Sequence, residues 1–502
     1  MSNEIAAPSS PDLSVEDEVA RRTARLETLT AEYGNPFNTT RFDKTHSAAD
    51  VKKQFEALTN GEKTQTQVSV AGRIMSIRNN GMFIDIQDDS ERLQIFHDLK
   101  NTPEKHLALL KLLDLGDIIG VTGVVRRTPR GEITVDATDL KVLSKALEPP
   151  PEKYHGLKDV EMRFRHREQD IASSAKSRET LRARFKMIAE IRSYLNGKGF
   201  LEVETPMMHV LAGGATAKPF VTHHNALNMP LYMRVAPELH LKRIVIGGLS
   251  EKVYEINRCF RNEGLSPKHN PEFTSIEIYQ AYVDFREMIE ITEKIIEHVA
   301  IALHGSTKVT YGEKELDFTA PWPRKSMVDL ITEHTGVDFY AIPDPALARE
   351  AAAKIGVNTM EGISWGQVVE AVFGERVEDK LIQPTHVIDL PKEISPLSKA
   401  WPDRPHIAQR FETYVNGWEI ANAFSELNDP REQRARFLEQ AEQKRGPDEP
   451  PHPIDDDFIK ALSFGMPPMG GLGIGLDRLA MLMTDSASIR EVIVFPTMKP
   501  ID

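Results

Sequence analysis

RCFRNEGLSPKHNPEFTSIEIYQAY, Arg258 to Tyr282, is the stretch whose pattern decides the fold. Arg261 and Glu263 close one apolar-rich strand, a polar loop with Pro267, His269 and Asn270 follows, and a second strand begins near Glu272. Strand side chains alternate between faces, so Phe273, Ser275, Glu277 and Tyr279 share one side while Ile276 and Ile278 take the other. The isoleucine side reads as core. The opposite side collects a ring, a carboxylate and a phenol beside a guanidinium, a set that suits a nucleotide and a charged small molecule. A surface hairpin would account for the alternation, but not for Arg, Glu, His, Phe and Tyr gathered on one side.

Around this stretch lies a chain of 502 residues, enough for about two to four domains. With 40% hydrophobic and 27% charged residues, its composition is that of an ordinary globular protein. The one cysteine, Cys259, excludes an intramolecular disulfide framework or a cysteine zinc cage and fits a reducing cytoplasm. The start, MSNEIAAPSSPDLSVEDEV, is acidic without an apolar core, so no signal peptide is expected, and no apolar run reaches membrane-span length. A net charge of −13 is a weak argument against a nucleic-acid partner, because binding depends on where the cations lie. Basic clusters exist at Arg126, Arg127 and Arg130, at Arg163, Arg165, His166 and Arg167, and at Arg178, Arg182, Arg184 and Lys186. Each is equally explained as a solvated face.

The first dozen residues are polar and expected to be disordered. Ser14 with Asp17, and Ser47 with Asp50, predict two capped helices, the first ending before Gly34 and the second near Leu58. From Val68 the period shortens to two, and VSVAGRIMSI, MFIDIQD, LQIF, DIIGVTGVV and EITVDA read as strands, with a helix over Glu104 to Leu113. Five strands with a helix after the third is the order of an OB-fold barrel, although any small five-stranded barrel would share it. The expected divisions are therefore 1–62 (polar tail and helices), 63–148 (barrel), 149–170 (a linker opened by Pro149 to Pro151) and 171–502. In the last, Leu181, Phe185, Ile188, Ile191 and Leu195 recur at helical spacing. Gly197 and Gly199 stop that helix, and GFLEVETPM runs on as a strand ending at Pro206. Residues 321–380 read as a polar, helical insertion without site residues. The class is α+β.

GLGIGLDRLAML, Gly471 to Leu482, is no dinucleotide fingerprint, because Leu476 stands where the third glycine belongs. Glycines 471, 473 and 475 let the backbone approach a ligand, and Arg478 opens a helix beside them. With Arg261 it supplies two guanidiniums, the means to clamp a triphosphate. In RFETYVNGWEIANAFSELND, Arg410 to Asp429, Asn416-Gly417 predicts a two-residue hairpin turn with Tyr414 facing Glu419. Glu412 and Glu419 then become diagonal neighbours about 7–8 Å apart. Two carboxylates so placed repel unless a cation lies between them, and oxygen ligands alone point to Mg²⁺ on nucleotide phosphates. The plain alternative is a pair of solvated glutamates. Asn422, Phe424 and Glu426 share a face that simple alternation sets opposite Glu419, so one common site requires a bulge near Ala421. Glu238, Glu277 and Glu426 are further acidic candidates for a pocket.

The stretch from Arg258 to Tyr282 resembles the second signature motif of class II aminoacyl-tRNA synthetases, in the form used by lysyl-tRNA synthetases. Gly471 to Leu482 resembles the third motif, and the helix with GFLEVETPM and Pro206 the first, which builds the dimer interface in that family. The similarity runs from near Val68 to the C-terminus. It implies an OB-fold anticodon-binding barrel, then a catalytic domain with an antiparallel sheet flanked by helices, in a cytoplasmic homodimer. It implies lysine, ATP, Mg²⁺ and lysine tRNA as ligands, with no DNA or membrane. Lysine's carboxylate would attack the α-phosphate of ATP, and a tRNA hydroxyl would then attack the lysyl-adenylate. Arg261 and Arg478 become the catalytic cations, at the α-phosphate and the γ end. Glu263 reads the adenine amino group, Phe273 and Arg478 sandwich the ring, His269 and Asn270 support the loop, and Glu412 and Glu419 hold the metal. Gly214 and Glu238 take lysine's α-amino group, while Glu277, Tyr279 and Glu426 meet the ε-ammonium. Asn422 joins Arg261 at the carboxylate, and Phe424 walls the stem. On the barrel, Phe83 is implied as a stacking platform, with Arg73, Gln94 and Glu132 at base edges.

The chain departs from the family at Gly247 to Glu251, one residue longer than usual, and at Trp418, where a basic residue is common. Arg165 to Ile171 lacks the expected tyrosines. The rivals are a paralogue lysylating a non-tRNA acceptor, a non-catalytic RNA-binding relative, and an aspartate- or asparagine-specific sister. The barrel without membrane spans disfavours the first. Retention of Arg261, Glu263, Glu412, Glu419 and Arg478 disfavours the second, and the acidic pocket the third.

Overall fold

The computed structural model describes residues 14–150, 159–211, 213, 217–442 and 454–501, so the expected disordered start, Pro151 and Gly214 lie outside the described residues. The chain divides into two compact units, Met1–Lys158 and Asp159–Asp502. In the first, alternating Val68, Val70, Ile84, Ile86, Leu93 and Ile95 point inward with Ile119, Val121 and Val125, making one core. Strands Lys63–Arg78, Phe83–Gln87, Arg92–Phe96, Ile118–Arg127 and Ile133–Ser144 close into a barrel, the fifth lying between the third and fourth. Helix Glu104–Lys111 falls between the third and fourth strands, the OB-fold order. Helices Val15–Tyr33 and Ala48–Gln54 precede it, capped by Ser14 and by the reciprocal Ser47/Asp50 box.

The second unit is built on an eight-stranded sheet. Its strands run in the order Arg324–Ser326, Thr385–Ile388, Arg410–Val415, Trp418–Ser425, Met469–Gly475, Glu272–Ala281, Lys252–Phe260 and Leu201–Glu202. Neighbours are antiparallel except the outermost pair at each edge. Ile276, Ile278, Ala423, Leu472 and Ile474 cover one face and pack with helices Ala175–Gly197 and Phe285–His304. The second of these helices is started by Asp284 and stopped by Gly305 at φ 68°. These two helices occupy one side of the sheet, and the site lies on the other.

Four local expectations change. Phe185 is 52% exposed, and Arg184 with Met187 takes its place in the buried stripe. Of GFLEVETPM only Leu201–Glu202 joins the sheet, beside Val253 and Tyr254. Residues from 159 onward are not a linker but helices Val160–Arg165 and Arg167–Ser173. Arg167 is fully buried and donates to the carbonyls of Arg490, Glu491, Ile493 and Val494, so this basic cluster pins the C-terminal segment. The segment 321–380 is less polar than expected: three helices, Met327–Thr335, Pro345–Lys354 and Trp365–Arg376, bury an apolar cluster with Val328, Phe339, Val369 and Phe373.

Candidate active site

Asn416 and Gly417 both take positive φ, 54° and 68°, as a two-residue type I′ turn requires. Pairing opens Val415 to Trp418 and Tyr414 to Glu419, then jumps to Thr413 opposite Ala421. Ile420 is the extra residue. Its side chain joins the core, and the insertion inverts the alternation after it. Glu419 before the bulge, and Asn422 and Phe424 after it, therefore face the same cleft.

The cleft encloses about 290 Å³ between the hairpin, the glycine strand Met469–Gly475 and the central strand Glu272–Ala281. The expected residues line it except for three: Glu412 and Glu426 stand behind its wall, and Gly214 lies outside the described residues. At the mouth, the Arg261 guanidinium lies 5.0 Å from the centre of the Phe273 ring. Its buried Nε has no hydrogen-bond partner. Arg478, in the first turn of helix Leu476–Met483, donates to the Glu419 carbonyl at 2.6 Å and to His269 Nε2 at 2.9 Å. Asn270 donates to the Glu272 carbonyl at 2.6 Å, and Glu263 is exposed on the loop. Asp477, next to Arg478, accepts from the Thr274 N–H at 2.7 Å and pairs with buried Arg184, which also donates to Thr274 Oγ1 at 2.9 Å. This sealed network locks the Arg478 helix to the strand that carries Phe273.

Glu412 is held by Arg410 at 2.5 Å and by the Tyr414 hydroxyl at 2.7 Å. Glu419 opens to the cleft with 41% of its side chain exposed. Enclosure, then repulsion from Glu412, pushes Glu419 up to about 7, against Arg478, Arg410 and Arg261. Mutually repelling carboxylates favour a cation between them. No group of three or more His, Cys, Asp or Glu among the described residues could form a cage. Two carboxylate oxygen donors are chemically suited to a hard cation such as Mg²⁺, which takes one or two carboxylates and completes its shell with phosphate oxygens and water.

The inner end is acidic. Glu238 begins helix Glu238–Ile246, and Glu277 accepts from the Tyr279 hydroxyl at 2.9 Å. Glu426 is fully buried, and its Oε2 pairs with the Lys242 ammonium. A Cβ on Gly471 would collide with the Glu426 carboxylate and the Tyr279 ring, so this glycine makes room for the pocket's floor rather than for a ligand. Burial and Glu238 push Glu277 up to about 8, and burial raises Glu426 well above the usual carboxylate range. Arg410 orients Asn422 by a 3.0 Å bond to its side-chain oxygen.

Sequence reasoning missed three side chains here. Lys242, 1% exposed, pairs with both Glu238 and Glu426. Its signal was the spacing of four from Glu238 on one helix. Lys268 lies 5.2 Å from the Trp418 ring centre, a cation–π contact at the departure from the family pattern. Glu378, in the segment expected to carry no site residue, is pushed up by burial against the pull of Lys268 and Arg478.

On the barrel, Phe83 pairs with Phe96, ring centres 5.2 Å apart, and Gln94 accepts from Thr134 at 3.0 Å. Arg126 sits over Phe96 at 4.0 Å, enlarging the aromatic platform beyond Phe83. Arg73 donates to the Gly116 carbonyl at 2.9 Å and pairs with Gln87, while Arg78 is the residue opposite Phe83. Glu132 is exposed.

Residues 159–499 match the family model for class II tRNA synthetases (D, K and N), and residues 68–143 match the OB-fold nucleic acid binding domain. Curated relatives include the lysine–tRNA ligase of Sinorhizobium medicae, 49% identical over 475 residues and 95% of each chain. Those of Thermoanaerobacter sp. and Carboxydothermus hydrogenoformans are 50% identical over 481 residues (95% of each chain) and 52% over 464 residues (92% of this chain, 94% of theirs).

Proposed function

The chain belongs to the class II tRNA synthetases, and we infer that it is a lysine–tRNA ligase, activating L-lysine with ATP and passing the lysyl group to the 3′ end of lysine tRNA. The observation that carries the specificity is an acidic inner end, lined by Glu238 and Glu277 with Glu426 directly behind them, in a cleft whose mouth bears Arg261 and Arg478. A side chain ending in an ammonium fits that floor, and a phosphate chain fits that mouth.

Lysine's carboxylate is ionised at neutral pH, so its attack on the α-phosphate needs no general base, and catalysis is positioning and electrostatics. Asn422 and Arg261 orient that carboxylate, and Phe424 walls the aliphatic stem. Glu238, with Gly214, holds the α-amino group, while Glu277, Tyr279 and Glu426 receive the ε-ammonium. Adenine stacks between Phe273 and Arg478, which leaves Arg261 for the α-phosphate. Glu263 accepts from the adenine amino group, His269 and Asn270 support the loop, and Arg478 holds the γ end. Glu412 and Glu419 would hold Mg²⁺, which when bound neutralises phosphate charge. Pyrophosphate leaves through the open mouth, and the terminal tRNA hydroxyl then attacks the adenylate.

The barrel reads the anticodon, with Phe83 as a stacking platform worth about 1–3 kcal/mol per base and Arg73, Gln94 and Glu132 near base edges. A second copy of the chain covers the exposed apolar side chains of Phe185, Leu201, Met207 and Met208. No described helix is long and apolar enough to cross a membrane, and the enzyme's place is the cytoplasm, with its tRNA. ATP–pyrophosphate exchange with each of the twenty amino acids, with and without Mg²⁺ and without tRNA, tests the first step. Exchange with lysine alone supports this function, and exchange with aspartate or asparagine overturns the acidic-pocket argument. No exchange at all would leave an RNA-binding protein with an enzyme's motifs.

A further inference from the structure

Lys242 takes no part in the steps above, yet its ammonium is buried directly behind the inner end of the cleft, against the lining residue Glu238. It stands one helical turn after Glu238, contacts Glu238 Oε1 at 2.5 Å and touches Glu426 Oε2. The rings of Phe424 and Phe458 flank it at 5.3 and 5.9 Å. Burial alone would drive this amine toward neutrality, but Glu238 and Glu426 more than offset that and hold it above its ordinary value. An internal ammonium therefore shares two carboxylates with the ammonium groups the substrate brings.

Three carboxylates stand at this floor, Glu238 and Glu277 lining it and Glu426 directly behind, and lysine carries two ammonium groups. Resting on the lysine reading of the site, we propose that Lys242 is a positioning residue that supplies the third positive charge, fixing Glu238 and Glu426 so that a substrate with two ammonium groups completes the pocket's neutrality. Lys242 acts through the carboxylates and does not touch the reacting atoms. Without it the floor holds one carboxylate too many, and a buried surplus charge is removed by taking up a proton. Lysine binding would then have to expel that proton.

The groups facing this floor are Glu238 and Lys242 from the helix, Glu426 from the hairpin's end, and Glu277 and Tyr279 from the central strand. Glu255 stands beyond Glu277 and is paired with Arg234 at 2.7 Å. Glu277, already pushed up to about 8, indicates how little further negative charge the floor tolerates.

The test is ATP–pyrophosphate exchange by the full-length wild type, Lys242→Met and Lys242→Arg from pH 6.5 to 9, with kcat and KM for lysine and ATP and a thermal melt for each. Wild-type exchange with lysine is the control: its failure would sink the lysine reading itself. The expected result is a lysine KM raised about 100-fold in Lys242→Met at neutral pH. That deficit should shrink as pH rises, with the KM for ATP unchanged. Lys242→Arg should keep the wild-type pH profile. Calorimetry in buffers of different ionisation enthalpy should find more protons released on lysine binding to Lys242→Met than to wild type. An unchanged lysine KM, or one raised by the same factor at every pH, would overturn the proposal and leave Lys242 a packing residue. If Lys242→Met does not fold, the arginine variant decides alone: a displaced pH profile overturns the proposal, and a superimposed one supports it.

Discussion

At the mouth of the cleft, Arg478 and Glu419 keep 24% and 41% of their side-chain surface open and approach to 3.9 Å, whereas at the inner end Lys242 and Glu426 keep 2% and 0% and touch. A cation faces a carboxylate in both places, in two dielectric settings. Exposed pairs are worth about 0–1 kcal/mol, so the mouth's charges can exchange partners for phosphates with little loss. Buried pairs are committed: removing one partner strands the other and costs about 3–5 kcal/mol. Nucleotide recognition is therefore assembled at each turnover, while amino-acid specificity is stored in the folded chain.

The largest test of that contrast is Glu426→Ala. It leaves Lys242 and the incoming ε-ammonium short of one carboxylate, and lysine binding should weaken by about 3–5 kcal/mol, with the KM for ATP little changed. An unaltered lysine KM would put Glu426 outside the pocket. At the mouth, Arg261→Ala should lower the rate of adenylation about 100- to 1000-fold, the scale of one lost transition-state donor. Its melting temperature and circular dichroism should match wild type, because Arg261 is only half-buried and its Nε has no partner to lose. Normal turnover in this variant would remove Arg261 from the mechanism.

Strand parity over 272–281 separated Glu277 and Tyr279 from the isoleucine core, and Asn416-Gly417 set the hairpin, because both depend on neighbouring residues alone. The bulge at Ile420 was legible only as a requirement, since one inserted residue leaves the local pattern unchanged and only the register beside Thr413 reveals it. Lys242 was hidden because Glu and Lys four apart on a helix usually form a solvated pair. Phe185 was placed in the core because apolar periodicity has no means of foreseeing that Asp477, 293 residues away, draws Arg184 inward instead. Long-range charge pairing decided what local period could not.

The glycine strand offers a smaller and sharper comparison, since Gly471 and Gly473 on it meet very different surroundings. Gly471→Ala drives a methyl into the Glu426 carboxylate and the Tyr279 ring. It should cost about 1–3 kcal/mol of stability by overpacking and raise the KM for lysine. At Gly473 a Cβ meets nothing nearer than 3.8 Å, so Gly473→Ala should melt within about 0.5 kcal/mol of wild type. Equal losses in the two variants would mean that the surroundings of Gly471 are no more tightly packed than those of Gly473.

The smallest effect is one of pH: both ends gain affinity as pH rises, but they do so at different midpoints. Glu277 is held up to about 8 by burial and Glu238, and its carboxylate form is the one that receives an ammonium. The KM for lysine should therefore fall as pH rises toward 8, by at most about tenfold per unit, well below the loss of lysine's own side-chain proton at about 10.4. Glu419, at about 7, should bring metal-dependent ATP binding to its plateau earlier, so between pH 7.5 and 8.5 only the lysine KM should still be falling. Stability runs the other way. Because the folded pKa of Glu277 lies above its unfolded value, the native state keeps a proton that the unfolded chain has released. That contribution is fully present below the unfolded pKa and is lost as pH rises through about 8. The ligand-free enzyme should thus lose melting temperature across the same window in which it gains lysine affinity. A lysine KM flat across that window would detach Glu277 from the ε-ammonium and leave its raised pKa a property of burial alone.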